Sequence, residues 1–131
     1  MNSSVFGVAA TAVVVVALMG GCSSTACTAI GAESGVSVDI SGQGRGEPIT
    51  ATACVEGHCS DTSVQEADGP IFIANSKVTS EEPTRVTVTV RRQSGAVLVP
   101  SRETTVTPKR VQPNGPDCDP TAYVATVSVA P

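Results

Sequence analysis

The chain of 131 residues has no Trp, one Tyr, two Phe and one His. Beyond residue 6 its only aromatic side chains are Phe72 and Tyr123. That supply cannot line an aromatic ligand pocket or build a stacking platform for nucleic-acid bases. Positive charge is scarce too, with eight Lys and Arg against twelve Asp and Glu and a net charge of -4. A phosphate backbone is held by clustered Lys and Arg, so nucleic acid is excluded as a partner. No stretch repeats apolar residues at helical spacing, and neither a Gly-x-Ser-x-Gly elbow nor a zinc-peptidase His pair occurs. The one Gly-rich stretch, Gly42-x-Gly44-x-Gly46, runs into Glu47-Pro48 and the β-leaning Ile49-Thr50-Ala51-Thr52. A nucleotide loop needs a helix N-terminus at that point, so the stretch is a turn and no nucleotide partner is expected.

What the chain does have begins with an uncharged run from Val5 to Gly21, whose apolar centre from Val8 to Met19 is broken only by Thr11. This is the length of a signal-peptide core rather than of a spanning helix. It closes on Leu18-Met19-Gly20-Gly21-Cys22. Small residues directly before a cysteine resemble the lipobox of bacterial lipoproteins, although here Met19 stands third before the cysteine and residues 1 to 7 carry no Lys or Arg. The resemblance implies cleavage before Cys22 and a diacylglycerol on its sulfur, whose two acyl chains suffice for stable anchoring. An ordinary secretory signal with a plain thiol at Cys22 is the alternative. Residues 1–21 then form the lipoprotein signal peptide, 22–26 the lipidated cysteine and a short tether, and 27–131 a single domain. Five steps from Cys22 to Cys27 reach about 17 Å at full extension, which holds the domain and its partners close to the lipid surface.

Of the 110 residues after position 21, only 22 are Val, Ile, Leu or Phe. That is the fraction at which a chain begins to look too polar to bury a core, so covalent staples are expected. Five cysteines are present. Committing Cys22 to lipid leaves Cys27, Cys54, Cys59 and Cys118, an even set suited to an exported domain. Three pairings are possible on paper. Cys54 and Cys59 bracket Val-Glu-Gly-His, a hairpin-sized loop, and pairing them leaves Cys27 with Cys118 to tie the ends of the domain together. On loop entropy the long bridge is worth about 4.6 kcal/mol and the short one about 2 kcal/mol.

The rest reads as strands. Val36-Ser37-Val38-Asp39-Ile40 alternates strictly, Ile49 to Val55 follows the Gly-rich turn, and Ile71-Phe72-Ile73 is a short buried run. Arg85-Val86-Thr87-Val88-Thr89-Val90-Arg91 is the cleanest strand, with valines inward and Thr and Arg outward. Gln93-Ser94-Gly95 turns it back onto Val97-Leu98-Val99, where Pro100 limits a central ladder. Thr104 to Thr107 continues the β pattern, and Tyr123 to Val129 closes it. Residues 60 to 69 are polar without a period and read as a surface connection, and Lys109 to Gly115 leads into the Asn114-Gly115 turn. Six to eight short strands without helices point to an all-β, immunoglobulin-like antiparallel β-sandwich, a single domain with two disulfides. If its first and last strands pair in parallel, Cys27 and Cys118 fall at the same end.

Charge is uneven, with seven acids against Arg45 over residues 27 to 76 and seven bases against three acids over 77 to 110. Halves folded onto opposite sheets would give an acidic and a basic side; the plainer reading is solvated strand faces. Two loops gather potential ligands. His58 lies between Glu56 and Asp61, and Asp117 and Asp119 flank Cys118 near Asn114. Zinc sites favour more His and Cys, and the EF-hand spacing is absent, so no metal and no cofactor are expected.

The order of lipobox, Cys-Thr-Ala-Ile-Gly-Ala, Ser-Gly-Val-Ser-Val-Asp-Ile, Cys-Val-Glu-Gly-His-Cys, a Val-Thr strand and Pro-Asn-Gly-Pro-Asp-Cys resembles small secreted actinobacterial lipoproteins of unknown function. The resemblance implies fold and location and adds no active site. The expected function is a non-catalytic cell-envelope lipoprotein, a binding or structural module near the membrane whose partner is an envelope protein or glycan. The alternatives are a secreted hydrolase or metal-binding protein using the His58 loop, and a thiol redox role for Cys54 and Cys59.

Overall fold

The structure, a computed structural model, describes Cys27 and residues 30 to 129. These residues contain eight strands and no helix: β1 (Gly35–Asp39), β2 (Ile49–Val55), β3 (His58–Val64), β4 (Pro70–Ala74), β5 (Thr84–Arg92), β6 (Val97–Val106), β7 (Lys109–Val111) and β8 (Ala122–Ser128). They form two four-stranded sheets, ordered β4-β1-β8-β7 and β3-β2-β5-β6. Every neighbouring pair is antiparallel except β1 and β8, which run parallel with Gly35 opposite Val124 and Asp39 opposite Ser128.

Alternation decides which side chains turn inward. In β1 Val36 and Val38 are buried, in β2 Ile49, Ala51, Ala53 and Val55, and in β5 Val86, Val88 and Val90. These join Ile71 and Ile73 of β4, Val99 of β6, and Ala125 and Val127 of β8 in one cluster between the sheets. Two of the buried β2 residues, Ala51 and Ala53, are small, and the rest of the cluster is mostly β-branched valine and isoleucine. The polar sequence thus holds one continuous core.

The acidic residues 27 to 76 supply β1 and β4 to one sheet and β2 and β3 to the other, while the basic residues 77 to 110 supply β5 and β6 to the second sheet and Lys109 and Arg110 of β7 to the first. The acidic and basic halves of the sequence therefore do not become two sides of the molecule.

Three elements differ from the sequence reading. Residues 60 to 64 are not a connection but most of β3, which pairs with β2 along its whole length. Glu56 and Gly57, with φ of 50° and 79°, make a tight turn of the kind that matches strand twist, and β3 lies at a sheet edge where Ser, Thr and Asp face water. Strand β6 continues through Pro100: Val88 opposes Arg102 while Val90 opposes Val99, so the ladder slips around the proline. An edge strand with a bulge loses no required hydrogen bond there. Lys109 to Val111 adds a short edge strand, β7, against β8.

Register assigns the connections to two ends. Gly35 lies opposite Ala74 and Val124, and Asn75, just after β4, donates to the carbonyl of His58 at 3.0 Å. The β2–β3 turn, the segment 75–83 and the segment 112–121 therefore share one end with the start of β1, hereafter the bridge end. The segments 40–48, 65–69 and 93–96 share the other, the loop end. Val88→Ala should lower unfolding stability by about 2 kcal/mol, for two lost methyl groups and a cavity. Thr87→Ala, one residue away on the outer face, should cost less than about 1 kcal/mol. Urea denaturation of both variants checks the inward and outward assignment.

Candidate functional site

At the bridge end the sulfurs pair as Cys27–Cys118 and Cys54–Cys59. The first joins residues 91 positions apart with Cα atoms 5.6 Å from each other, and Cys118 is buried. Parallel pairing of β1 with β8 creates this proximity, since each cysteine precedes one of the two strands. Asn114 adds a second fastening: its Oδ1 accepts from the Ile30 N–H at 2.7 Å, while its Nδ2 donates to the carbonyls of Ile30 and Asp119 at 2.8 Å each. The lead segment is thus clipped to the β7–β8 loop by a covalent bond and a side-chain amide. Cys22, the expected lipidation site, lies outside the described residues, as do the expected signal peptide and all of the tether from 23 to 26.

Cys54 and Cys59 are direct cross-strand partners in the β2–β3 hairpin, 3.9 Å apart at Cα, on the outer face of their sheet with Cys59 exposed. His58 is exposed as well. It projects from β3 on the same side as Ser60, into an open groove bordered by Glu33, Ser34, Asn75 and Ser76. Asp61 lies an odd number of residues away on the same strand and faces the opposite side. The trio Glu56, His58 and Asp61 is therefore not brought together. At the other acidic loop, Asn114 is engaged with backbone groups, and the Asp117 N–H donates to Gln112 at 3.2 Å. Among the described residues no three His, Cys, Asp or Glu side chains gather as a metal site.

The loop end holds a different arrangement, one without a sequence motif. The guanidinium of Arg92 donates to the carbonyls of Gln43 at 3.0 Å and Arg45 at 3.2 Å, tying the end of β5 to the Gly-rich turn. Arg45 in turn holds Asp68 bidentately, at 2.7 and 3.1 Å, and this carboxylate raises the arginine pKa further through hydrogen bonding and charge. Gly44 and Ala67 form a backbone bridge, the Gln93 N–H donates to the Pro48 carbonyl at 2.9 Å, and Ser94 donates to Glu47 at 2.9 Å. The Asp39 carboxylate accepts from the Ser41 hydroxyl at 2.6 Å and its N–H at 3.0 Å, bonds that lower its pKa. Three loops are thus locked to one another. The exposed Arg45–Asp68 pair adds little stability by itself, so its effect is to fix geometry.

Gly44 is where the loops approach most closely: a Cβ there would lie 2.7 Å from the Ala67 carbonyl and 2.8 Å from Ile40. The Gly-x-Gly-x-Gly stretch is therefore a turn built for close backbone contact. Sequence reasoning did not single out Arg92, Arg45 or Asp68, because their partners are backbone carbonyls and loop residues distant in the chain. The chain matches no known family model, and it is significantly similar to no curated protein and no solved structure.

Two outcomes follow. Gly44→Ala should destabilise the domain by about 1 to 3 kcal/mol in chemical denaturation, because neither the Ala67 backbone nor buried Ile40 can yield freely. Cys27→Ser with Cys118→Ser should cost about 4.6 kcal/mol, against about 2 kcal/mol for Cys54→Ser with Cys59→Ser. Equal losses from the two double variants would remove the distinction between a domain-closing bridge and a hairpin staple.

Proposed function

We propose that the chain is a non-catalytic lipoprotein of the cell envelope, an immunoglobulin-like β-sandwich anchored through Cys22 and offering its loop end to an envelope protein or glycan. The single observation that carries this reading is the opposition of the two ends. The N-terminal lead is fastened by Cys27–Cys118 and Asn114 at one end, and the three cross-bonded loops stand at the other. A short tether at the bridge end directs the loop end away from its own anchorage, and loops held in one geometry lose little entropy on contact. Two bridges suit an oxidising compartment outside the cytoplasm. The resemblance of the lipobox and cysteine motifs to those of small actinobacterial lipoproteins supports the same location. Neither nucleic acid nor nucleotide enters this reading.

The test is photocrosslinking in intact cells, with a photoreactive residue replacing Ser94 at the loop end or Ser80 at the bridge end. A discrete adduct from position 94 and none from position 80 is expected. An adduct from position 80 alone would transfer the contact to the other end, and none from either would remove the binding reading. His58→Ala should leave both the adduct and the fold intact. Its loss in that variant would favour the His58 loop.

A further inference from the structure

Three of the four exposed large apolar side chains among the described residues, Ile30, Phe72 and Val111, belong to the bridge-end half of the molecule or to the outer face of the first sheet. The outer face itself is organised in rows. Phe72 stands opposite Ser37, which stands opposite Thr126; Ala74 opposite Gly35, Val124 and Lys109 in turn; and Val111 opposite Ala122. The Phe72 ring leans along the sheet over Gly35, where a Cβ would meet it at 2.8 Å. An apolar strip thus crosses all four strands from Phe72 through Val124 to Val111. These rows hold no acid and one cation, Lys109. The acid of this face, Asp39, lies in the row nearest the loop end, between Pro70 and Ser128.

The end surface itself has the opposite character. Its connecting segments carry Glu33, Glu56, Glu81, Glu82, Asp117 and Asp119 against Lys77. Standing upright on that end would set these carboxylates against anionic headgroups, a like-charge contact. The chain outside the described residues limits the choice of posture: its apolar run stops at Gly21, and about 17 Å at most separates Cys22 from Cys27. A domain held that closely can tilt but cannot withdraw.

We propose that the bridge-end half of the first sheet's outer face lies on the lipid headgroups. Phe72, Val124 and Val111 meet the interface, with Lys109 beside the phosphates. The inference rests on the lipid-anchor reading and adds the docking face to it. The domain is tilted, and the loop end and the outer face of the second sheet remain in water. Partial burial of an aromatic ring and two valines, together with one cation, orients a tethered domain without needing to bind it alone.

The chain has no Trp, so a single introduced indole reports its own surroundings. The full lipidated protein carrying Phe72→Trp, or Thr105→Trp on the outer face of the second sheet at the same end, is reconstituted into phosphatidylcholine–phosphatidylglycerol vesicles with and without brominated acyl chains. The indole at 72 should lose intensity about twofold in brominated vesicles and shift to the blue, while the indole at 105 is unchanged, as for a ring at the interface and a ring in water. Val111→Trp repeats the test from the far edge of the same sheet, should the ring at 72 disturb its packing over Gly35. Equal quenching at both faces, quenching at 105 alone, or none at 72 and 111 in vesicle-bound protein would overturn the docking face while leaving the anchor in place. A blue shift without bromine quenching would mean that a second protein copy covers the strip, which also overturns it. Protein that fails to float with the vesicles would remove the anchor and the docking face together.

Discussion

The parallel pairing of β1 with β8, closed by Cys27–Cys118, is the constraint on which the rest of the structure depends. It joins the first and last strands of the domain in one sheet, so that β4 and β7 can add at the two edges. It also places the start of β1 and the end of β8 at opposite ends of the described domain. The lead segment emerges at the bridge end, and β8 finishes at the loop end, where the Val129 N–H donates to the Asp39 carbonyl. A long-range contact of this kind is slow to find and is stabilised by covalent closure, which removes much of the unfolded chain's freedom. A core made chiefly of valine, isoleucine and alanine would otherwise have little margin.

Two asparagines do for the polar interior what the bridge does for the chain. Asn75 is buried and uses its amide on the carbonyls of Ala53 and His58 while accepting from the Lys77 N–H. It thereby joins the end of the first sheet to the hairpin of the second. Asn114 performs the corresponding task for the lead segment. Among the described residues no buried side-chain nitrogen or oxygen lacks a partner. Thin apolar packing and complete polar satisfaction together leave a domain with one end fastened by Cys27–Cys118 and Asn114 and one end made of cross-bonded loops.

The sequence made the valine-rich strands legible because alternation with Ser, Thr and Asp leaves one face no other place to go. The pairing of Cys54 with Cys59 was legible from its loop length, and that of Cys27 with Cys118 then followed as the remaining pair. Strand β3 was hidden because Ser60, Asp61, Thr62 and Ser63 carry no apolar period; its register comes from β2 and from the turn at Glu56 and Gly57. The run through Pro100 was hidden because a proline breaks a central strand but not a bulged edge. The same missing strand concealed the fate of His58 and Asp61, whose separation onto opposite faces appears only once β3 is known. The loop-end clamp was invisible because Arg92 recognises two backbone carbonyls, which have no residue signature.

The unreduced intact mass of natively expressed protein extracted from membranes bears most directly on a lipid-anchored domain closed by two bridges. That reading predicts a chain beginning at Cys22, heavier by a diacylglycerol and lighter by the four hydrogens lost in forming Cys27–Cys118 and Cys54–Cys59. An unlipidated chain with a free or intermolecularly paired Cys22 would contradict it and make the protein a soluble secreted domain.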